Sequence, residues 1–175
     1  MMRLVEDMLA EKIEATPVLV LSDKADAGGL SKAHDLGIPT ATVLRSDFDD
    51  TASFNAKIDE VLKEFETEVI CLAGFMRILS EDFTSAWAGK ILNIHPSLLP
   101  KYKGLHTHQR AIDAGDKEAG CSVHIVTPEL DAGPILGQSR VPILPDDTAE
   151  TLAARVLVEE HKLYPKVLAD FLEGL

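Results

Sequence analysis

Short apolar runs alternate along this chain with longer segments that carry apolar residues on one face only. The runs at 17–22, 40–44 and 68–74 predict buried strands, because they are short and rich in aliphatic and β-branched side chains. The segments between them, 25–37 and 49–65, have the periodicity of amphipathic helices. This alternation favours an α/β fold, in which a mostly parallel, open twisted sheet is flanked by helices.

The second half of the chain continues the alternation and then changes it. The run ILNIH at 91–95 predicts another strand, and a helix is expected near 106–114. The segments CSVHIV (121–126) and PILGQSRVPI (134–143) then follow each other with no helix between them. They predict an antiparallel pair joined by the loop that contains Asp131.

The two ends of the chain both predict helices. A long amphipathic segment begins near Thr148, and either Thr148 or Asp147 is suited to cap it. At the other end, MMRLVEDMLAEKI (1–13) predicts a helix from the first residue, with no strand before it. Doubly wound sheets usually open with a strand that feeds the first helix. We therefore expect one domain over 1–175 whose first strand is missing.

Composition narrows the class of protein further. A chain of 175 residues, 46% hydrophobic and 26% charged, is ordinary for one globular domain. Its formal net charge of −12 argues against non-specific binding to nucleic acid or to anionic membranes. Because no signal peptide or membrane-length apolar stretch is evident, a cytoplasmic protein is expected. Cys71 and Cys121 lie in apolar runs and are expected to be reduced core residues.

The charges are unevenly distributed. Residues 83–112 contain no Asp or Glu, although the chain as a whole is acidic. This segment could be an accident of composition, but it overlaps the strand at 91–95 and so favours a site for anionic small molecules. Its basic and histidine residues are Lys90, Lys101, Lys103, Arg110, His95, His106 and His108.

Two polar side chains interrupt the end of the strand at 91–95. Asn93 and His95 are two residues apart and so share one face of that strand, and the proline-bounded turn NIHPSLLP stops it. In open α/β sheets, ligands bind at the carboxyl ends of the strands. Asn93 could donate a hydrogen bond to a developing oxyanion, and His95 could carry a proton near neutral pH. The alternative for His95 is a buried ring whose hydrogen bonds are made to backbone.

Asp131 lies in LDAGP, 36 residues after His95. It could be an ordinary turn aspartate, since its neighbours are turn-forming residues. If the loop folds back over the strand end, its carboxylate would favour the protonated form of His95 by charge attraction. Asn93, His95 and Asp131 together would supply the groups that an acyl transfer requires.

Metal binding is a weaker hypothesis for the histidines. His106 and His108 are two residues apart, which aligns them poorly on a helix, whereas catalytic zinc sites typically add a carboxylate or thiol at helical or CxxC spacing. His124 alternates with Val123 and Ile125, as a buried strand residue would. We therefore expect no metal site.

Two further segments are consistent with a cleft. AGFMRIL (73–79) follows a buried strand, and its apolar side chains could hold a flat heterocycle, although a strand-to-helix loop with an exposed Arg77 explains it equally well. Glu160 and His161 lie in the middle of the last helix and are expected to be solvated, unless that helix faces the cleft.

Four motifs together resemble the folate-dependent formyltransferases, and within them the phosphoribosylglycinamide formyltransferases of purine biosynthesis. The resemblance begins near residue 17, continues to the end of the chain, and keeps the order and spacing of the motifs. It implies a Rossmann-like formyltransferase fold and transfer of a formyl group from 10-formyltetrahydrofolate to the amine of glycinamide ribonucleotide. The motifs are AGFMRIL, LNIHPSLLPKYKGLHTHQRAI, GCSVHIVTPELDAGPI and EEHKLYP.

The resemblance also implies roles for particular residues. Asn93, His95 and Asp131 match the catalytic set, and the Leu99–Pro100 peptide is a candidate cis bond. Residues that match contacts to the ribonucleotide are Gly74, Phe75 and Glu160. Residues that match the folate pocket are Met76, Arg77, Ile78, Leu79, Thr127, Pro128, Glu129 and Leu130.

The implied ligands are small molecules. They are 10-formyltetrahydrofolate as co-substrate and the ribonucleotide as acceptor, with no metal, nucleic acid or membrane, in a monomer or homodimer. Two alternatives remain open at this point. A formyltetrahydrofolate hydrolase would use water as the acceptor, and a truncated, non-catalytic domain would bind folate without transferring the group.

The chain departs from the family's pattern at its start. Family members open with a strand and a glycine-serine-asparagine loop that holds the ribonucleotide phosphate at a helix N-terminus. In this sequence Met1 falls where the helix after that loop should begin. The 175 residues are therefore expected to turn over poorly, chiefly through a high KM for the ribonucleotide.

Overall fold

Helices and strands alternate through most of the computed structural model, which describes residues 1–175. Contacts divide the chain into two units, Met1–Ile91 and Leu92–Leu175. The elements are α1 (Met2–Leu9), β1 (Val20–Ser22), α2 (Gly28–Asp35), β2 (Thr40–Thr42), a 3₁₀ turn (Arg45–Asp47), α3 (Thr51–Glu64), β3 (Ile70–Leu72), α4 (Glu81–Ala86), β4 (Ile91–His95), α5 (Thr107–Asp113), β5 (Glu118–Ile125), β6 (Ile135–Pro142) and α6 (Ala149–Glu173).

The first unit contains the predicted parallel pairing. β1 and β2 run parallel, with Val20 opposite Thr40, and form a sheet of their own. α2 packs on both strands, and α1 packs on α2. Helix α3 begins where the side chain of Asp50 accepts a hydrogen bond from the backbone N–H of Ser53. One core cluster of this unit contains Val5, Val20, Ala33 and Ile38, and the buried hydrophobic residues of α3 are Phe54, Ile58, Val61 and Leu62.

The second unit is an antiparallel arrangement covered by a long helix. β4 pairs with β5, and β5 pairs with β6, both antiparallel, and α6 packs on β5 and β6. Thr148 caps α6 and exchanges hydrogen bonds with Thr151 in a capping box, which resolves the choice between Thr148 and Asp147. The core of this unit comprises Ala111, Ala119, Cys121, Val141, Leu152 and Val156.

The turn that follows β4 is fixed by buried hydrogen bonds. The Ser122 hydroxyl accepts from the Leu99 N–H and donates to the Ser97 carbonyl, at 3.0 and 2.7 Å. Gln138 donates to the Leu99 carbonyl at 2.9 Å. The Leu99–Pro100 peptide is cis, as the family resemblance implied.

The predicted α/β class and the antiparallel pair around Asp131 are confirmed, but several predicted details are wrong. α1 ends at Leu9 rather than near residue 13, because Glu11 adopts a left-handed conformation (φ 56°) that a helix cannot continue through. α4 was not predicted, although Ser80 caps it by accepting from the N–H of Phe83. Cys71 is only partly buried, whereas Cys121 lies in the core.

Gly133 is expected to be intolerant of any side chain. A Cβ atom at this position would lie 1.8 Å from the Ile125 carbonyl oxygen, whereas one at Gly28 would meet nothing within 4 Å. Gly133→Ala should therefore destabilise the fold by about 1–3 kcal/mol, because the loop or the strand must move. Gly28→Ala is the control and should be neutral or slightly stabilising. Urea unfolding measures both, and equal stability of Gly133→Ala and wild type would contradict this reading of the loop.

Candidate active site

The carboxyl end of β4 carries the two polar side chains identified in the sequence. Asn93 and His95 lie on the same face, with His95 only 6% exposed and Asn93 partly buried. In the β4–β5 ladder, Asn93 lies opposite His124 and His95 lies opposite Ser122. The strand therefore presents an amide and an imidazole side by side, backed by polar residues of β5.

The ring of His95 is held at both nitrogen atoms. Its Nε2 lies 2.9 Å from the carbonyl oxygen of Tyr102, which can only accept, so Nε2 carries a hydrogen and donates it. Its Nδ1 lies 3.4 Å from Oδ2 of Asp131. Because both nitrogens face acceptors, the surroundings match the hydrogen-bonding pattern of the doubly protonated ring.

Asp131 reaches this ring from the loop between β5 and β6. Its backbone is left-handed (φ 47°), and its side chain is only 8% exposed. Oδ2 accepts a hydrogen bond of 2.9 Å from the backbone N–H of Gly104, and Oδ1 lies 3.6 Å from Nε2 of His124. The carboxylate therefore lies between two histidines and is fixed by the backbone of a second loop.

His124 is a member of this cluster that sequence reasoning assigned to an ordinary buried position. It is 2% exposed, and its Nε2 lies 3.2 Å from Nδ2 of Asn93. Burial lowers the pKa of His124, against the opposing effects of the Ile125 carbonyl and the Asp131 carboxylate. The only signal in the sequence is a polar residue in a buried strand, because its partner depends on the register of β5 against β4.

His108 lies near His95 but makes no hydrogen bond to Asn93, His95, His124 or Asp131. Burial, and then the charge of nearby His95, lower its pKa, and its Nε2 has no hydrogen-bond partner. His108 lines a cavity of about 400 Å³ together with Pro96, Gln138 and Arg140, but Asn93, His95 and Asp131 do not line it. No group of three His, Cys, Asp or Glu side chains is arranged to hold a metal ion.

The electropositive segment predicted at 83–112 is partly neutralised in the fold. Lys101 pairs with Asp116 at 2.9 Å, and Lys103 pairs with Glu129 at 3.3 Å. Both acids come from outside the segment, so a count along the sequence overstated the local positive charge.

The residues from Thr127 to Leu130 form the start of the Asp131 loop. The Thr127 hydroxyl donates to the Glu129 carbonyl at 3.3 Å. Pro128 and Glu129 are exposed, and Leu130 is 64% exposed although it is apolar. Leu130 is therefore an exposed apolar side chain that directly precedes Asp131, a candidate catalytic residue.

The segment from Gly74 to Leu79 belongs to the other unit and follows β3. Gly74 has a positive φ of 69°, and Phe75 is partly buried. Met76 and Ile78 are 69% and 78% exposed, which is unusual for large apolar side chains. Arg77 forms an ion pair with Asp23.

Glu160 is partly buried on α6, whereas His161 is exposed, so the expectation that both are solvated is wrong for Glu160. Burial raises the pKa of Glu160. Burial, with a contribution from the charge of Glu160, also raises the pKa of the Cys121 thiol to about 12. Glu160 is thus a carboxylate held in surroundings that disfavour its charge.

Glu160→Gln is expected to stabilise the chain at pH 7 by about 1 kcal/mol, raising the thermal midpoint by ~2–4 °C. The folded-state pKa lies above the ordinary value. The carboxyl group therefore favours folding at low pH and opposes it as pH rises through that pKa, so the gain should vanish near pH 4. Glu159→Gln is the control, because hydrogen bonds from Lys162 and Ser139 lower the pKa of Glu159, and it should not stabilise. Calorimetry at both pH values tests this, and equal midpoints for Glu160→Gln and wild type at pH 7 would contradict it.

None of the helices is both long enough and apolar enough to cross a bilayer.

Residues 1–168 match the family model described as Formyl transferase. The phosphoribosylglycinamide formyltransferase of Escherichia coli (strain K12) is 48% identical over 163 residues, which cover 93% of this chain and 77% of that protein. The trifunctional purine biosynthetic protein adenosine-3 of Bos taurus is 50% identical over 151 residues, but the match spans 86% of this chain and only 15% of that longer protein. A crystal structure of phosphoribosylglycinamide formyltransferase from Brucella melitensis has 53% identity and a TM-score of 0.92, covering 99% of this chain and 89% of its own.

Proposed function

The chain belongs to the formyl transferase family, and from this premise we propose that it transfers the formyl group of 10-formyltetrahydrofolate to the primary amine of glycinamide ribonucleotide. It is accordingly a transferase of de novo purine biosynthesis. The observation that carries the assignment of the catalytic site is the approach of Asp131 to within 3.4 Å of His95, beside Asn93 on the same strand face.

The proposed reaction is a transfer of an acyl group between two nitrogen atoms. The lone pair of the acceptor amine attacks the formyl carbon, a carbon–nitrogen bond forms, and the carbonyl electrons move onto oxygen. The bond from the formyl carbon to N10 then breaks as the oxygen electrons return. The acceptor nitrogen loses one proton and N10 gains one, so atoms and charge balance.

Asn93 and His95 are proposed to stabilise the oxygen that becomes negative. The amide of Asn93 donates without ionising. A charged His95 adds a full positive charge and its Nδ1 hydrogen, which would be shared between that oxygen and Asp131. Such donors act best in a site shielded from water, and His95 is 6% exposed. The burial of the ring therefore supports an electrostatic role.

Asp131 is proposed to keep the His95 ring charged and correctly oriented. Since Nε2 already donates to the Tyr102 carbonyl, Nδ1 is the nitrogen left for exchange of a proton, and it faces the carboxylate. The 2.9 Å hydrogen bond from Gly104 fixes that carboxylate in place. A water molecule could carry the proton between the acceptor amine and N10.

The binding residues are proposed from the family resemblance and the exposed apolar side chains. Met76, Arg77, Ile78, Leu79 and the loop residues Thr127, Pro128, Glu129 and Leu130 are assigned to folate. The exposure of Met76 and Ile78 supports the first assignment and that of Leu130 the second, because large apolar side chains left exposed are suited to contact a ligand. Gly74, Phe75 and Glu160 are assigned to the ribonucleotide.

Formyl transfer can be tested directly with ¹³C-formyl-labelled 10-formyltetrahydrofolate. Mass spectrometry should detect the label in formylglycinamide ribonucleotide, with one deformylated folate produced for each acceptor consumed. The acceptor should be titrated up to the millimolar range, so that its KM can be determined. Label recovered as formate at a rate independent of the acceptor would instead indicate a hydrolase. Folate binding without loss of the label would indicate a non-catalytic domain.

We infer that both units act as one formyltransferase domain, because residues 1–168, matched by the family model, extend across them. A single cooperative thermal transition is expected. The buried, unbridged Cys121 thiol is consistent with a reducing compartment, and we propose a cytoplasmic location. We also propose that the chain acts on small molecules, and that it binds no nucleic acid, membrane or resident metal. Its proposed oligomeric state is a monomer or a homodimer. Light scattering coupled to size exclusion tests the oligomeric state.

A further inference from the structure

His124 makes contacts that a residue serving only the core would not need. It is 2% exposed, lies directly opposite Asn93 in the β4–β5 ladder, and reaches Asn93 Nδ2 through its Nε2 at 3.2 Å. An apolar residue would fill a buried position on β5 without the cost of burying a polar ring. The position therefore holds a hydrogen-bonding group for a reason connected with Asn93.

The partners of the ring define its tautomer. Nδ1 lies 3.0 Å from the Ile125 carbonyl oxygen, which can only accept, so Nδ1 must carry a hydrogen. The partner at Nε2 is the amide nitrogen of Asn93, which can only donate, so Nε2 must be bare and accept. The ring that satisfies both contacts is neutral. The lowering of its pKa by burial is consistent with that state.

We propose that His124 is a positioning residue for the formyl transfer assigned above, and that it acts by accepting one N–H of Asn93 and so fixing the plane of that amide. The amide nitrogen has two hydrogens, and this contact uses one of them. The second hydrogen then has a defined direction and remains for the formyl oxygen. His124 itself does not touch the reacting atoms.

Protonation of His124 would reverse this arrangement. Nε2 would then carry a hydrogen facing the N–H of Asn93, and two donors repel each other. The new donor would be drawn to Oδ1 of Asp131, which lies 3.6 Å away. Asp131 and the Ile125 carbonyl favour that protonation, whereas burial and the neighbouring His95 oppose it. A charged His124 would therefore release Asn93 and compete for the carboxylate that serves His95.

The tautomer can be measured without any assay of activity. Long-range ¹H–¹⁵N correlation spectra of the ¹⁵N-histidine-labelled wild-type protein at pH 7.5 should show His124 with a protonated Nδ1 and a bare Nε2. The assignment comes from loss of that signal in His124→Gln. A doubly protonated ring, or a hydrogen on Nε2 instead of Nδ1, would overturn the proposal even if formyl transfer is confirmed.

The kinetic test is a double-mutant cycle between His124 and Asn93. His124→Phe keeps an aromatic ring but removes the acceptor, and should lower kcat by about 10- to 100-fold with both KM values within about threefold. In an Asn93→Ala background the same change should lower kcat by less than about threefold, because there is no amide left to orient. His124→Gln restores an acceptor oxygen and should recover a large part of the loss.

Several results would overturn the proposal. The first is a folded His124→Phe enzyme with wild-type kcat. The second is an equal fold-loss of kcat on His124→Phe substitution in the wild-type and Asn93→Ala backgrounds. The third is a kcat for His124→Gln that is no higher than that of His124→Phe. Should His124→Phe fail to unfold cooperatively, His124→Gln in both backgrounds and the tautomer measurement decide the matter. A wild-type protein with the stated tautomer but no formyl transfer would refute the proposed function and leave the contact itself intact.

Discussion

Asp131→Asn is expected to lower kcat for formyl transfer by about 10³- to 10⁴-fold, while both KM values change little. The amide has the shape of the carboxylate and can still accept from the Gly104 N–H. It cannot supply the negative charge that lies 3.4 Å from Nδ1 of His95 in a position only 8% exposed. Steady-state kinetics with each substrate varied in turn measures the effect.

Glu118→Gln provides the matched control for this substitution. Glu118, at the start of β5, also carries a negative charge, but its side chain is 57% exposed and pairs with Arg140 on the surface. Exposed pairs contribute little, so kcat should stay within about twofold of wild type. A folded Asp131→Asn enzyme that keeps more than about a tenth of wild-type kcat would contradict the role given to the carboxylate.

Asn93→Ala is expected to lower kcat by about 10²- to 10³-fold, the loss typical of one oxyanion donor. The effect should fall on kcat rather than on KM, because the interaction strengthens only as charge develops on the formyl oxygen. Truncation also leaves Nε2 of His124 without the donor that it has at 3.2 Å. Burst and steady-state kinetics separate the chemical step from product release.

Ile94→Val is the control for Asn93→Ala. Ile94 is the next residue of β4, faces away from Asn93, and packs against the core of the second unit. Its shortening should cost about 0.5–1.5 kcal/mol of stability and leave kcat within about twofold. Equal losses of kcat in the two variants would mean that β4 acts only as a scaffold.

Much of the fold was accessible from the periodicity of the sequence. The strand at 91–95 and the antiparallel pair around Asp131 were predicted within a few residues, because strong apolar runs and turn-forming residues coincide there. α4 was missed because six residues give too little periodicity to be recognised. α1 was predicted too long because nothing in its composition shows that Glu11 adopts a left-handed conformation.

Some features of the candidate site could likewise be predicted from the sequence, and others could not. The alternation of Asn93 and His95 along one strand was visible in the sequence. The pairing of Asp131 with His95 was proposed on the condition that its loop folds back over the strand end, and the family resemblance also implied it. The carbonyl of Tyr102 and the N–H of Gly104 could not have been predicted, because backbone groups carry no signal in a sequence. The contact of His124 with Asn93 depends on strand register, which no single sequence states.

The most direct test of the account is a crystal structure with a folate analogue in which carbon replaces N10, so that the formyl group cannot leave. The account predicts the formyl oxygen within about 2.7–3.2 Å of Asn93 Nδ2 and within hydrogen-bonding reach of His95 Nδ1, with Asp131 still beside the ring. A formyl carbon bound more than ~6 Å from all three side chains would contradict it, since no hydrogen bond spans that distance.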